Sequence, residues 1–581
     1  KEFPEVKDAR GLFSSFDRRL AISLDQGKIT APGLKAVSLA GTEFFVANTK
    51  IKPSLATVNL NVNGNLDDTL GLLNQKPLSV FERTGKNVLP ADGVLELTGK
   101  LSFLMKKNLK MDDVAYSADG SIIDFQMPET ANIKAIKGSL VAVTLTPEAV
   151  QLKGKFQTNG TELDGQFVYD MVRQSSILNA EFAVDETLAK NIALPLPDGM
   201  LSGTSIAKLR LNLSKDAPPA IEIKSDLIGT KLSFDQLKWQ KTSNAAADFV
   251  AQGTIEDGLK FENIFLKTQG LELSGRSISG AAPGEGSFEF DTFKINDLID
   301  VEGGIGSNKK LTIRKGYFDV RPYFSSPTKR AASGEKIPAQ VALDRVRVTE
   351  KVYLDNFLGE IKLGGAVSGV FTAQIGPRSK VIGTLREVRG RTGVEISSDQ
   401  GGAFLKEFGA VKGATGGKLK LTLTPAKDGV STDAFIKVDD VKIQGAPFLA
   451  ELLNGISIVG LLDQLSGSGI PINEIEANFR IKEDQVILKD FTVFGPSMGI
   501  TMDGYYNLKT KMMDMQGVIS PIYVINGVGS LVTQKGEGLI GFNFKLKGQS
   551  GNTVLSINPL SALTPAIFRN LFRRPPPNYD E

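Results

Sequence analysis

Residues Val94–Met105 read VLELTGKLSFLM. Leu95, Leu97, Leu101, Phe103 and Met105 fall on one parity, and Glu96, Thr98, Lys100 and Ser102 fall on the other. A period of two sends alternate side chains to opposite faces of a β-strand, so this stretch predicts a strand with one dry and one wet face. The pattern returns in Lys208–Ser214 (KLRLNLS), which aligns Leu209, Leu211 and Leu213. It returns again in Lys418–Thr424 (KLKLTLT), aligning Leu419, Leu421 and Leu423, and in Gly541–Lys547 (GFNFKLK), aligning Phe542, Phe544 and Leu546. One-sided patterning of this kind is typical of antiparallel sheets.

Between such runs lie Asn63-Gly64, Ala91-Asp92-Gly93, Asn159-Gly160, Glu256-Asp257-Gly258 and Lys427-Asp428-Gly429. Asn-Gly and Asp-Gly pairs favour the positive φ angles of hairpin turns, which predicts a meander. The chain has 60 glycines in 581 residues, above the typical ~7%, and they read as turn punctuation. One strand per ~12 residues sets an upper figure of roughly 45 strands. Open sheets rarely exceed ~10 strands without curling or splitting. The expectation is a mostly β fold: a long, twisted, largely antiparallel sheet curled into an open apolar groove (a β-taco), with a few short helices near the C-terminal end. The competing arrangement packs each strand against a second sheet, as in a sandwich. The absence of clear domain borders favours the groove. The most loop-like stretches, Gly280–Gly286 and Ser326–Lys336, suggest a division into residues 1–320 and 321–581.

Helical signals are few. Leu66–Thr84 has apolar residues near helical spacing and a break at Pro77; Gly402–Phe408 is long enough for two turns. Pro447–Leu465 is the strongest, with Pro at its start, Gly467 after its end and a break at Gly455. Leu449, Leu452 and Leu453 share a face with Ile456. This segment either lies inside the groove or rests on a membrane surface. It has no Lys or Arg, which favours the groove. A last helix is expected over Ala562–Phe572, and a disordered tail over 575–581. Arg569, Arg573 and Arg574 would either touch anionic head groups or, more plainly, complement the helix dipole.

Composition removes whole classes of chemistry. The chain has no His and no Cys, so it has no imidazole base, no thiolate nucleophile and no His- or Cys-based metal site. Lys and Arg number 68 against 65 Asp and Glu, a net +3, too little to argue for nucleic-acid binding. Among the aromatics, 33 Phe stand against a single Trp. Phe brings apolar area without a polar tip, which suits a core or a surface that meets hydrocarbon. Asp67-Asp68, Asp112-Asp113 and Asp439-Asp440 are adjacent pairs, and neighbours in a strand point to opposite faces, so no metal site is expected. Gly413–Gly417 runs into Lys418, but Leu419 stands where a phosphate loop needs Ser or Thr. No enzyme activity and no cofactor are expected.

The run Asn478–Asp503 (NFRIKEDQVILKDFTVFGPSMGITMD) with Gly504-Tyr505 resembles the C-terminal domain of the AsmA-like proteins, and within them the YhdP branch. Gly517–Asn526 (GVISPIYVIN) and Ile557–Pro565 (INPLSALTP) followed by Phe568-Arg569 extend the likeness. It is strong over about residues 440–570 and diffuse elsewhere, including Asn65–Phe81. The resemblance implies a periplasmic, inner-membrane-anchored protein of double-membrane bacteria. It implies a bridge-like lipid transfer protein, with phospholipids as cargo, inner and outer membranes as partners and membrane proteins at either end. The transmembrane anchor and a further stretch of groove would precede Lys1. Leu95, Leu97, Leu101, Phe103, Leu209, Leu211, Leu213, Leu419, Leu421, Leu423, Leu449, Leu452, Leu453, Phe542, Phe544 and Leu546 are the candidate groove lining. The alternative from another class is a structural β-protein, or a scaffold for outer-membrane or cell-surface assembly.

Overall fold

Each of the four alternating runs lies almost wholly in a strand; Met105, expected on the dry face, falls past the end of its strand and is exposed. Val94–Met105 supplies most of Asp92–Leu104, and Lys208–Ser214 the end of Ser205–Leu213. Lys418–Thr424 lies within Ala414–Pro425, and Gly541–Lys547 within and just ahead of Phe542–Gln549. The computed structural model describes residues 5–75, 90–107, 109, 113–129, 134–191, 199–214, 217–256, 258–278, 286–324, 336–377, 379–409, 411–521, 540–563 and 574–577. Strand takes 64% of the described residues and helix 10%, so the fold is mostly β. The described strands number 35, fewer than the sequence's upper figure. Of these, 32 belong to one main sheet and three to a small second one.

The chain divides into two compact units, residues 1–288 and 289–581, ahead of the expected 320/321 border. The division falls near the start of the strand Ser287–Ile295, just after the loop-like stretch Gly280–Gly286 and not at Ser326–Lys336.

In the first unit the described pairings are antiparallel from the hairpin Val6–Phe16/Arg19–Ile29 onward, mostly between successive strands, though Ala220–Ser225 pairs with Asp248–Ile255 past two intervening strands. Asn159-Gly160 is a hairpin turn with both φ angles positive, 48° and 78°. Asn63-Gly64, by contrast, lies inside the strand Leu55–Asn65, so it is no turn. The helix Leu66–Asn74 follows directly. The Asn65 side chain accepts from the Asp68 amide at its start, and Asp67 and Asp68 occupy its first turn, where the helix dipole favours negative charge. The stretch 76–89, where the sequence extends this helix, lies outside the described residues. The three-stranded sheet, Leu201–Gly203, Thr230–Phe234 and Trp239–Lys241, also belongs to this unit.

The second unit departs from the meander once. Strands Leu311–Asp319 and Ile337–Arg347 pair parallel. Parallel pairing requires a crossover connection rather than a hairpin; most of that connection, including the loop-like stretch expected from Ser326, lies outside the described residues. Antiparallel pairing then runs to Asn552–Asn558. Gly401–Glu407 is helical, as expected. The predicted Pro447–Leu465 helix is two helices, Pro447–Gly455 and Val459–Ser466, parted where Gly455 placed the break. Of the last predicted helix, Ala562 and Leu563 end the 3-10 turn Pro559–Leu563, and the rest lies outside the described residues. The tail expected to be disordered from Pro575 is in part placed, with Pro577 buried. Helices are thus spread along the chain rather than gathered near its C-terminal end. Among the described residues no helix is long and apolar enough to cross a membrane.

Candidate functional site

Strand register decides which side chains stand side by side. In the first unit, Leu95 is flanked by Gly64 and Ile122. The row continues through Val141, Gly154, Gly165, Ala180, Leu209, Ile223, Ala251 and Ile264. A second row runs Val62, Leu97, Gly120, Val143, Leu152, Phe167, Leu178, Leu211, Ile221, Gly253 and Phe261. Every member of both rows is apolar or glycine. Leu101 lies between Val58 and Tyr116, Phe103 between Ala56 and Val114, and Leu213 beside Ser176. The two leucine-rich runs of this unit, far apart in sequence, therefore share one face.

The second unit repeats the arrangement. Leu421 and Phe544 belong to the row Val341, Gly359, Phe371, Gly383, Ile396, Leu421, Ile436, Ala477, Phe491, Met502, Gly517, Phe544, Ile557. Leu423 and Leu546 belong to the next, which includes Leu385, Val394, Phe479, Leu488, Met515 and Leu555. Leu419 lines up with Val438, Ile475, Val493, Ile500, Ile519 and Phe542.

The opposite faces are polar. Lys208 pairs with Glu181 at 3.6 Å, and Gln252 donates to Glu222 at 2.6 Å. Lys420 pairs with Glu395 at 3.3 Å, and Lys437 lies between Glu474 and Glu476. Hydrogen bonds from Lys437 to those two carboxylates push its pKa well up. A shallow depression on the second unit collects Asp300, Glu302, Lys315, Asp344 and Arg345. Its carboxylates are occupied, Glu302 by Lys315 at 2.7 Å and Asp344 by the Gly316 amide at 3.1 Å. No group of carboxylates able to hold a metal ion occurs among the described residues.

The apolar faces are neither sealed nor bare. Leu97, Leu101, Phe103, Leu209, Leu211, Leu213, Leu423 and Phe542 are half-buried. Leu95, Leu419, Leu421, Phe544 and Leu546 are buried. Helices cover part of each face. Leu66 and Leu70 of the first helix pack with Leu95, Ile122 and Val141. At Gly401 a Cβ would stand 2.7 Å from the Val438 side chain, which fixes how closely the helix Gly401–Glu407 sits on the sheet. Phe448 packs on the cluster of Ala477, Leu488, Met515 and Leu546. On the same helix Leu449, Leu452 and Leu453 are all buried.

Most of the lining was missed in the sequence because strand geometry hides it. In Gln485–Phe494, Val486 and Leu488 line the face, and a register shift then hands it to Phe491 and Val493, inverting the parity. In Ser175–Val184, Leu178, Ala180 and Phe182 alternate properly, but Ile177 and Ala183 on the other side blur the pattern. Strand glycines interrupt it elsewhere, as at Gly120 and Gly154. No family model, curated protein or solved structure matches the chain.

Proposed function

We propose that this chain carries phospholipid acyl chains along its apolar faces, as a bridge-like lipid transfer protein between the inner and outer membranes of a double-membrane bacterium. On this reading it works in the periplasm, anchored to the inner membrane, and supports outer-membrane integrity, as its likeness to the YhdP branch of the AsmA-like proteins implies. The observation that carries the reading is the register. In each unit, apolar residues and glycines form unbroken rows across successive strands, and many of those side chains keep contact with solvent. An extended apolar surface in that condition is a binding surface. Acyl chains laid on it gain about 25 cal/mol for each Å² removed from water, while head groups stay hydrated. The lining offers no fixed charge along its rows, so successive positions hold a hydrocarbon tail about equally and none traps it. No bond needs to be made or broken.

The test uses the alternation itself. A photoreactive residue is placed in turn at positions 209, 210, 211, 212 and 213, and the chain is illuminated with phospholipid vesicles. Cross-links to lipid at 209, 211 and 213 but not at 210 and 212 support the conduit. Equal labelling of both parities, or none, removes it. A lipid-free chain that instead captures outer-membrane proteins would favour the scaffold.

A further inference from the structure

Helices Pro447–Gly455 and Val459–Ser466 form a hairpin that leaves the sheet after Ile443 and rejoins it at Ile470. Its first helix lies on the apolar face of its own unit. The Phe448 ring meets the Phe544 ring edge-on, with centroids 6.0 Å apart. Gly455 sits so close to the last strand that a Cβ would stand 2.4 Å from Ile557 Cδ1. Leu452 and Leu453 are fully buried. Leu423 and Phe479, on other strands of the same face, are half-buried.

The roots of the hairpin are built differently from its shaft. Gly445 and Gly469 take positive φ angles of 58° and 82°, a region that a side chain disfavours. The Gln444 side chain donates to the Gly467 carbonyl at 2.6 Å, and the Gly445 amide donates to the Leu465 carbonyl at 3.0 Å. The two roots are thus tied to each other, and hinge glycines flank the tie. The shaft has only Glu451 and Asp463 as charged residues. Every contact named between shaft and sheet is apolar, so a hydrocarbon chain can replace it at little net change in buried area.

We infer that this hairpin is a displaceable plug, which holds the place of an acyl chain over Phe544, Leu546 and Ile557 and swings out about Gly445 and Gly469 when lipid passes. The inference rests on the lipid-conduit reading. It requires that lipid and hairpin compete for one surface, so that each shifts the population of the other.

The chain has no native cysteine, so Gly455→Cys with Ile557→Cys places a single thiol pair across the contact. In the full chain, oxidation should abolish lipid transfer between vesicles, and reduction should restore it. Transfer by the oxidised form at the reduced rate overturns the plug and leaves the conduit standing. A parent chain that neither binds nor transfers lipid overturns the conduit, and the plug with it. Phe448→Ala provides a second arm that needs no cross-link. It should raise transfer several-fold with unchanged circular dichroism; unchanged or slower transfer by the folded variant counts against the plug.

Discussion

Asp319 ends the strand Leu311–Asp319 with a carboxylate that is almost wholly withdrawn from water, at 1% exposure. Arg321 answers it with Nε at 3.0 Å and a second guanidinium nitrogen at 2.7 Å, and the Arg321 amide adds a bond at 3.0 Å. The Arg321 side-chain bonds hold the Asp319 pKa below the usual aspartate value, overriding the upward push of burial. Because the folded pKa is depressed, the pair contributes stability fully above the unfolded value near 3.8 and loses it as pH falls through the lower folded value. Arg321→Leu leaves the buried carboxylate with only the amide of residue 321, and because the guanidinium is itself 35% exposed the loss should be about 1–3 kcal/mol. Chemical denaturation should show that loss at neutral pH. The acid limb of the stability profile should also move to higher pH, because burial alone raises the pKa. Lys241 is the mirror case, a residue 3% exposed with no carboxylate bonded to it among the described residues. It donates instead to the carbonyls of Leu227 (2.7 Å), Thr230 (2.8 Å) and Thr242 (3.2 Å), and burial lowers its pKa. Lys241→Met should destabilise the small sheet by about 1–3 kcal/mol, because buried carbonyls lose a donor.

Among the elements, the strands explain where the glycines went. Several glycines are not punctuation but sit within strands on the lining face, next to large side chains. A Cβ at Gly383 would stand 2.0 Å from the Phe371 ring, and one at Gly517 would stand 2.5 Å from the Phe544 ring. Side chains converge on the inner face of a curved sheet, so a Phe fits there only if its cross-strand neighbour is bare. The ring in turn covers the glycine's exposed backbone. Gly383→Val should therefore cost about 1–3 kcal/mol through overpacking. Gly460→Ala should do the opposite. That position, inside the helix Val459–Ser466, has nothing within 4 Å of its would-be Cβ, and Ala in place of Gly stabilises a helix by up to about 1 kcal/mol. Thermal melts of the two variants check both signs. The glycines also mark the limit of what the sequence discloses. The four cleanest alternating runs are strands on the predicted faces, because nothing in them breaks the period of two. The hairpin helices were legible from Pro447, Gly455 and Gly467, which act locally. Bulges such as the one after Leu488 were not legible, because they change parity without a fixed residue signature. Nor was the parallel pairing of Leu311–Asp319 with Ile337–Arg347, since nothing in either strand records which way its partner runs.

At the scale of the whole molecule, both units pair a polar face with an apolar one, and the proposed function asks both faces to serve one path. That demand separates a conduit from a chain with two unrelated lipid sites. Leu211 and Leu423 are suited to the test because each is half-buried in its own row, so a carboxylate there keeps access to water and the fold should persist. Phe544 is a poorer choice. It is 2% exposed and lies under Phe448, so Phe544→Asp would bury a charge and unfold its surroundings. A carboxylate in the lining obliges every passing acyl chain to desolvate it, a penalty of several kcal/mol that hydrocarbon cannot offset. If lipid must cross both units in series, Leu211→Asp alone or Leu423→Asp alone should stop transfer between vesicles, and the double variant should be no worse than either. If the units bind lipid independently, effects at distant sites add. Each single variant would then keep about half of the lipid that co-purifies with the parent, and only the double variant would lose it all. Transfer rates, with co-purified lipid measured by mass spectrometry on the same four proteins, decide between the two. A strand content by circular dichroism equal to the parent's is the condition for reading either result.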